Sequence, residues 1–207
     1  MKVAVGLFGI HYEPNLKHWM HWDINVDYTE GYDLNNKILY NTFDADFYSS
    51  TYFSTKTNQL ITDFKFKSIR LQHIDNKVEN DIGNNWKKRN KRFKETIELI
   101  LDSNIVYDYV ILTRYDIEFI VNPFECNIDD DKINVACKMN SDSIPYLIDD
   151  NFYLFSFSKL NYFYDEIEKI DETIWAHNYH QYIDNFNFLV DGLYNVSNIP
   201  IYKFLRK

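Results

Sequence analysis

Apolar positions along this chain fall into short runs of strand length, interrupted by one long helical stripe. Lys2–Ile10 (KVAVGLFGI) is a continuous apolar run of the buried-strand type, with Gly6 and Gly9 allowing close backbone approach. The loop after it is Gly9-Ile10-His11-Tyr12. Further strands are predicted over Ala45–Phe53, Phe66–Gln72, Tyr107–Phe119, Ile133–Lys138, Asn151–Ser158 and Val196–Tyr202. Phe93, Ile97, Ile100 and Leu101 fall at i, i+4, i+7 and i+8, which predicts a helix over Trp86–Ser103 capped by Asn84 or Asn85. Other helices are expected over Leu34–Thr42 with Asp33 as N-cap, Lys56–Asp63, Leu160–Ile170 and Tyr179–Leu189. His11–Asp27 is aromatic-rich and poorly patterned; Glu13-Pro14 is read as opening a short helix through Trp22. Strands alternate with helices, so the expected class is α/β, a single domain with a mostly parallel central sheet flanked by helices.

Composition narrows the field. With 207 residues, one domain has length enough for a substantial core. A net charge of −9 excludes general nucleic-acid binding, which needs a basic footprint. Six cations nevertheless cluster at Lys87, Lys88, Arg89, Lys91, Arg92 and Lys94, a patch suited to one anionic ligand. They stand in the first turns of the predicted helix, the end where the dipole disfavours cations, which marks either a site or, the preferred reading, a solvated helix face. Tyrosine and phenylalanine are frequent (17 and 16), which suits stacking on sugars or bases, or a core built from rings in place of aliphatic residues. The two cysteines, Cys126 and Cys137, form no CxxC and no disulfide framework. Val3–Ile10 is too short for a membrane span and lacks a signal-peptide layout, so a soluble, cytoplasmic protein is expected.

The richest stretch is YDYVILTRYDIEF, Tyr107–Phe119. Val110, Ile111 and Leu112 read as a buried central strand, and the run ends in Arg114, Asp116 and Glu118. Ligands of open α/β sheets lie outside the carboxyl ends of such strands. Acids there suit Mn²⁺ or Mg²⁺ carried with a nucleotide diphosphate, although a surface ion pair of Arg114 with Glu118 gives the same pattern. Asp149 and Asp150 form a second acidic step, equally readable as a turn before a strand. His177 and His180 share one face at HxxH spacing, as do His18 and His21 among Trp19 and Trp22. There is no GxSxG, P-loop or GxGxxG.

The order of these pieces resembles small nucleotide-sugar glycosyltransferases of the GT-A fold, of the capsule and lipopolysaccharide type and their giant-virus relatives. YDYVILTRYDIEF looks like their acidic metal segment, NTFDADFYSSTYF like the strand before it, and LIDDNFYLFS like the acceptor-side segment. The resemblance implies a Rossmann-like nucleotide half over roughly 1–120 and an acceptor half over roughly 121–207. It implies that Phe8, Gly9, His11 and Tyr12 line the nucleotide, that Arg114 contacts phosphate or orients Asp116, and that Lys87, Arg89 and Arg92 neutralise the diphosphate or an anionic acceptor. Asp116, Glu118 and the late His180 would hold the metal, and Asp149 or Asp150 would be the general base. The partners implied are a UDP-sugar donor and a glycan acceptor, with host cytoplasm as the location if the chain is viral. The departure from a strict DxD, with Glu118 as second acid and Arg114 ahead of Asp116, leaves metal dependence open. The alternative from another class is a non-catalytic carbohydrate-binding or assembly module.

Overall fold

A computed structural model describes residues 1–17, 23–29, 36–73, 82–140, 146–171, 174, 176–195 and 198–204. In chain order it contains β1 (Lys2–Phe8), β2 (Tyr12–Lys17), β3 (Asp23–Asp27), α1 (Lys37–Tyr40), β4 (Asp44–Tyr52), α2 (Thr57–Phe64) and β5 (Ser68–Gln72). Then come α3 (Ile82–Leu101), β6 (Tyr109–Arg114), β7 (Ile117–Phe119), β8 (Ile133–Val135), β9 (Lys138–Met139) and β10 (Leu147–Ile148). The remainder is β11 (Phe152–Ser156), α4 (Leu160–Glu168), β12 (Phe186–Phe188), β13 (Leu193–Tyr194) and β14 (Tyr202–Phe204).

The class is α/β. Seven strands form the central sheet in the order β12-β8-β11-β6-β1-β4-β5. All run parallel except β11, which lies antiparallel between β6 and β8. From β1 the chain builds outward through β4 and β5, then returns through α3 to place β6 on the other side of β1. The strand order therefore reverses between β1 and β6.

Alternation along the strands splits the core in two. Val3, Val5, Leu7, Ile111, Phe152 and Leu154 face a cluster completed by Leu39, Leu60, Phe64 and Phe119. Ala4, Phe8, Val110, Leu112, Tyr153 and Phe155 face the other, completed by Phe93, Ile97 and Ile100 of α3 and Phe163 and Ile167 of α4. Gly6 lies under α3. A Cβ there would stand 2.6 Å from Leu112 Cδ2 and 2.8 Å from Thr96 Cγ2, so its close-approach role is to seat the helix.

Several elements differ from expectation. The helix expected after Pro14 is replaced by the β2–β3 hairpin, whose register shifts between Glu13 and Leu16. That bulge accommodates a proline that cannot donate to the ladder; the rest of the expected helix, with Trp19, Trp22, His18 and His21, lies outside the described residues. So do Asp33 and the start of the Leu34–Thr42 helix, of which Lys37–Tyr40 is described. Helix α3 is already formed at Ile82, so Asn84 and Asn85 lie within it. Lys87–Lys94 therefore fall beyond its first turn, and the dipole conflict disappears because the field is concentrated at the helix end. Tyr179–Leu189 is not a helix: a 3₁₀ turn, Ala176–Gln181, leads into β12, parallel to β8. Tyr107–Phe119 breaks into β6 and β7 at a turn carrying Tyr115 and Asp116, and Ile133–Lys138 breaks likewise into β8 and β9. The final strand, expected over Val196–Tyr202, is Tyr202–Phe204.

Among the described residues, no helix is long and apolar enough to cross a membrane.

Candidate functional site at the switch point

The point where strand order reverses is where open α/β sheets hold ligands, outside the carboxyl ends of the strands. Three segments reach that rim for separate reasons. The ends of β1 and β6 meet there directly, with Phe8 opposite Arg114. Because β11 runs the other way, its amino end lies there too, with Phe152 opposite Thr113, so Asp149-Asp150-Asn151 arrives just before it. Helix α3 crosses back from β5 to β6, which brings its amino-terminal half to the same rim.

Two ion pairs dominate. Arg114 donates from Nε and Nη2 to Asp116 Oδ1 and Oδ2, both at 2.7 Å. Asp116 is buried, whereas a quarter of the Arg114 side chain is exposed. Arg89 reaches Asp150 Oδ2 at 2.9 Å and also donates to the Asp150 carbonyl. Its guanidinium lies over the Phe8 ring, 5.3 Å from the centroid. Asp150 is also close enough to Arg114 to favour its charge. Each cation thus neutralises a buried carboxylate, the condition under which buried charge is tolerated.

Asp149 has no exposed surface. Its Oδ1 accepts from the Tyr202 hydroxyl at 2.5 Å and from the Asn151 amide at 2.8 Å. Oδ2 is buried without a hydrogen-bond partner among the described residues. Burial pushes this carboxyl up to about 7, against the pull of Tyr202 and Asn151. Two further buried polar atoms nearby, Arg89 Nε and Tyr153 Oη, also lack hydrogen-bond partners among the described residues. Burial raises the Tyr153 phenol, with Asp150 adding to the effect.

The other residues expected at the site are placed differently. His11 is buried, its Nδ1 2.9 Å from Thr51 Oγ1 and its Nε2 2.7 Å from Ser54 Oγ. Thr51 donates its own proton to the Gly9 carbonyl, and Ser54 Oγ accepts from the Lys56 amide. The network therefore puts the imidazole proton on Nδ1 and makes Nε2 the acceptor. Burial lowers the ring to about 4, so it is neutral, and both nitrogens serve the loop after β1. Gly9 in that loop has φ +96°, with open space where a Cβ would stand. The Tyr12 ring carries Lys56 Nζ, 4.8 Å from its centroid.

Arg92 is buried beside Glu95, at 3.0 Å, where Ser50 and Gln72 also donate to that carboxylate. It packs over Tyr52 at the end of β4, a different partner set from the pair of Arg89 and Asp150. Glu118 is buried in β7 and paired with Lys203 at 3.0 Å, so the alternative pairing with Arg114 is not the one formed. His180 stacks on Tyr146, ring centroids 4.8 Å apart, and the side chain of His177 lies outside what is described.

Asp116, Glu118 and His180 are not gathered into one cluster. Among the described residues, no group of three or more His, Cys, Asp or Glu side chains is placed to hold a metal ion. The chemistry of the donor set points the same way, because both Asp116 oxygens are already taken by a guanidinium. The acids as they stand do not fit Mn²⁺ or Mg²⁺.

Sequence reading missed Asn151, Tyr153 and Tyr202 as neighbours of the acidic step. No spacing signal links Tyr202 to Asp149, because 53 positions separate them and the pairing of β14 with β7 brings them together. The chain matches no protein-family model and no curated protein.

Proposed function

We propose that this protein is a glycosyltransferase of the GT-A type that moves a sugar from a nucleotide diphosphate donor to a glycan hydroxyl. One observation carries the reading: Arg89, Arg114, Asp116, Asp149 and Asp150, from three remote segments, converge on the rim where strand order reverses. That location and a parallel β1-β4-β5 half beside it favour a nucleotide ligand.

In this reading the diphosphate lies along the forks of Arg114 and Arg89, which stabilise charge as it builds on the leaving group. Asp116 and Asp150 hold those forks in place. Asp149 is the general base, because its affinity for a proton lies near neutrality and Oδ2 keeps its lone pairs. Oδ2 has no exposed surface, so the acceptor displaces the groups that cover it before its hydroxyl gives the proton to Oδ2 and its oxygen bonds to the anomeric carbon. The bond from that carbon to the diphosphate breaks, and the leaving group departs with the electron pair.

The test is thermal stabilisation by a panel of nucleotides and nucleotide sugars, UDP-sugars first, each with and without Mn²⁺. A donor at about 100 times its dissociation constant adds about 2.7 kcal/mol, a readable shift in Tm. Stabilisation by one nucleotide diphosphate supports the transferase. Stabilisation by free glycans alone, with every nucleotide inert, supports the carbohydrate-binding module and sinks the transferase.

A further inference from the structure

The hydrogen bonds around Asp149 form a closed set. The Tyr202 hydroxyl gives its one proton to Asp149 Oδ1, Asn151 Nδ2 divides its two between Asp149 Oδ1 and Tyr202 Oη, at 2.8 and 3.1 Å, and the Asn151 backbone N–H adds a longer bond to Oδ1 at 3.3 Å. Every donor of the triangle is spent, and all of them serve Oδ1 or each other. Oδ2 is left with no hydrogen-bond partner among the described residues.

Tyr202 is held there by backbone, not by chance contact. Strand β14 pairs antiparallel with β7, Tyr202 opposite Phe119, and Ile120 N donates to Ile201 O at 2.9 Å. The other edge of β7 is bracketed by the Asn36 amide, which donates to Ile117 O and accepts from Phe119 N. Lys203, next along β14, pins Glu118. The terminal strand thus reaches into the rim and fixes one atom of the candidate base.

We infer that Tyr202 is a positioning residue for Asp149: its hydroxyl, with the Asn151 amide, reserves Oδ1 as the fixed acceptor and leaves Oδ2 as the oxygen that takes the proton. The inference deepens the transferase reading and, for its effect on turnover, rests on it. The ionisable groups facing Asp149 are Tyr202, Asp150, the Tyr153 phenol and the Cys137 thiol, which burial pushes up to about 12. The two phenols and the thiol are neutral at working pH, so the Tyr202 donor and the Asp150 charge dominate the balance.

Tyr202→Phe removes the hydroxyl and keeps the ring. With carboxyl-¹³C aspartate, and Asp149→Asn to assign the signal, the Asp149 midpoint should rise by about one pH unit, since one donor to the charged form is lost. The acid limb of kcat/KM should move by the same amount. Turnover at pH 6 should fall about tenfold, while the alkaline plateau holds. Asn151→Ala, which spares Tyr202, should move both quantities in the same direction and serves if Tyr202→Phe does not fold. Lys203→Ala should move neither. An unmoved midpoint in both variants overturns the proposal, as does a moved midpoint with a stationary acid limb. A moved midpoint in a protein that turns over no nucleotide sugar supports the positioning and overturns the transferase reading.

Discussion

Arg114 and Asp116 stand two residues apart across the turn between β6 and β7, and the guanidinium grips both carboxylate oxygens at 2.7 Å. The pair closes the end of the central strand with a neutral unit instead of a bare acidic step. Removing one member leaves the other charged and largely buried. Asp116→Asn should therefore lower stability by about 3 kcal/mol in urea unfolding and abolish sugar transfer. The double variant Arg114→Met with Asp116→Leu should recover most of that stability and none of the activity. Near-normal turnover in Asp116→Asn would remove the residue from the site.

Gly6 within β1 and Gly9 in the loop between β1 and β2 fail for different reasons. Gly6→Ala places a methyl 2.6 Å from Leu112 and 2.8 Å from Thr96, an overpacking expected to cost about 1–3 kcal/mol. Gly9→Ala meets no neighbour, but at φ +96° the backbone strains any side chain by roughly 1–2 kcal/mol. Shortening Leu112 to alanine alongside Gly6→Ala should relieve part of the first loss. The same change should leave the second untouched, as a double-mutant cycle by urea unfolding would read.

His11 makes stability depend on acid. Its folded value, about 4, lies below the ordinary 6.5, so the unfolded chain binds the extra proton between those values. The contribution is intact above pH 6.5 and is lost as pH falls towards 4, by at most about 3 kcal/mol. His11→Gln should flatten the fall in urea midpoint between pH 6.5 and 4.5. An unchanged slope would place the sensitivity elsewhere.

Asp149 acts in the opposite sense. Its folded value, about 7, lies above the ordinary 3.8, so ionisation opposes folding as pH rises through that window. Asp149→Asn imitates the protonated acid. It should therefore be more stable than the parent at pH 8.5, by up to about 4 kcal/mol, and about equal to it at pH 4. Transfer activity should be lost at both. A variant less stable at pH 8.5 would show that the charged carboxylate supports the fold.

The sheet was legible where apolar runs were long. β1, β4, β5, β6, β11, α3 and α4 follow from pattern alone, because burial on one or both faces writes itself into period and run length. The 3₁₀ turn and β12 were not legible. His177, His180, Ile183 and Phe186 imitate helical spacing, and only the parallel partner β8 makes the segment a strand. Of the site, the strand-end position of Arg114 and Asp116 and the acidic step before β11 could be read. That Arg89 joins Asp150 while Arg92 turns to Glu95 could not, since both lie on one face of α3 and the choice belongs to the neighbouring strands. Tyr202 was hidden for want of any local signal.

Strand β11 supplies Phe152 and Leu154 to one core and Tyr153 and Phe155 to the other. A slip by one residue would exchange the two sets and misfit both faces at once. The interior therefore works as a ruler for the rim. Its apolar fit dictates, along the strand axis, the height at which Asp149, Asp150 and Asn151 emerge. Core substitutions remote from the rim, at Leu154 or Phe163, would then register as losses of alignment among the acids before they register as losses of fold.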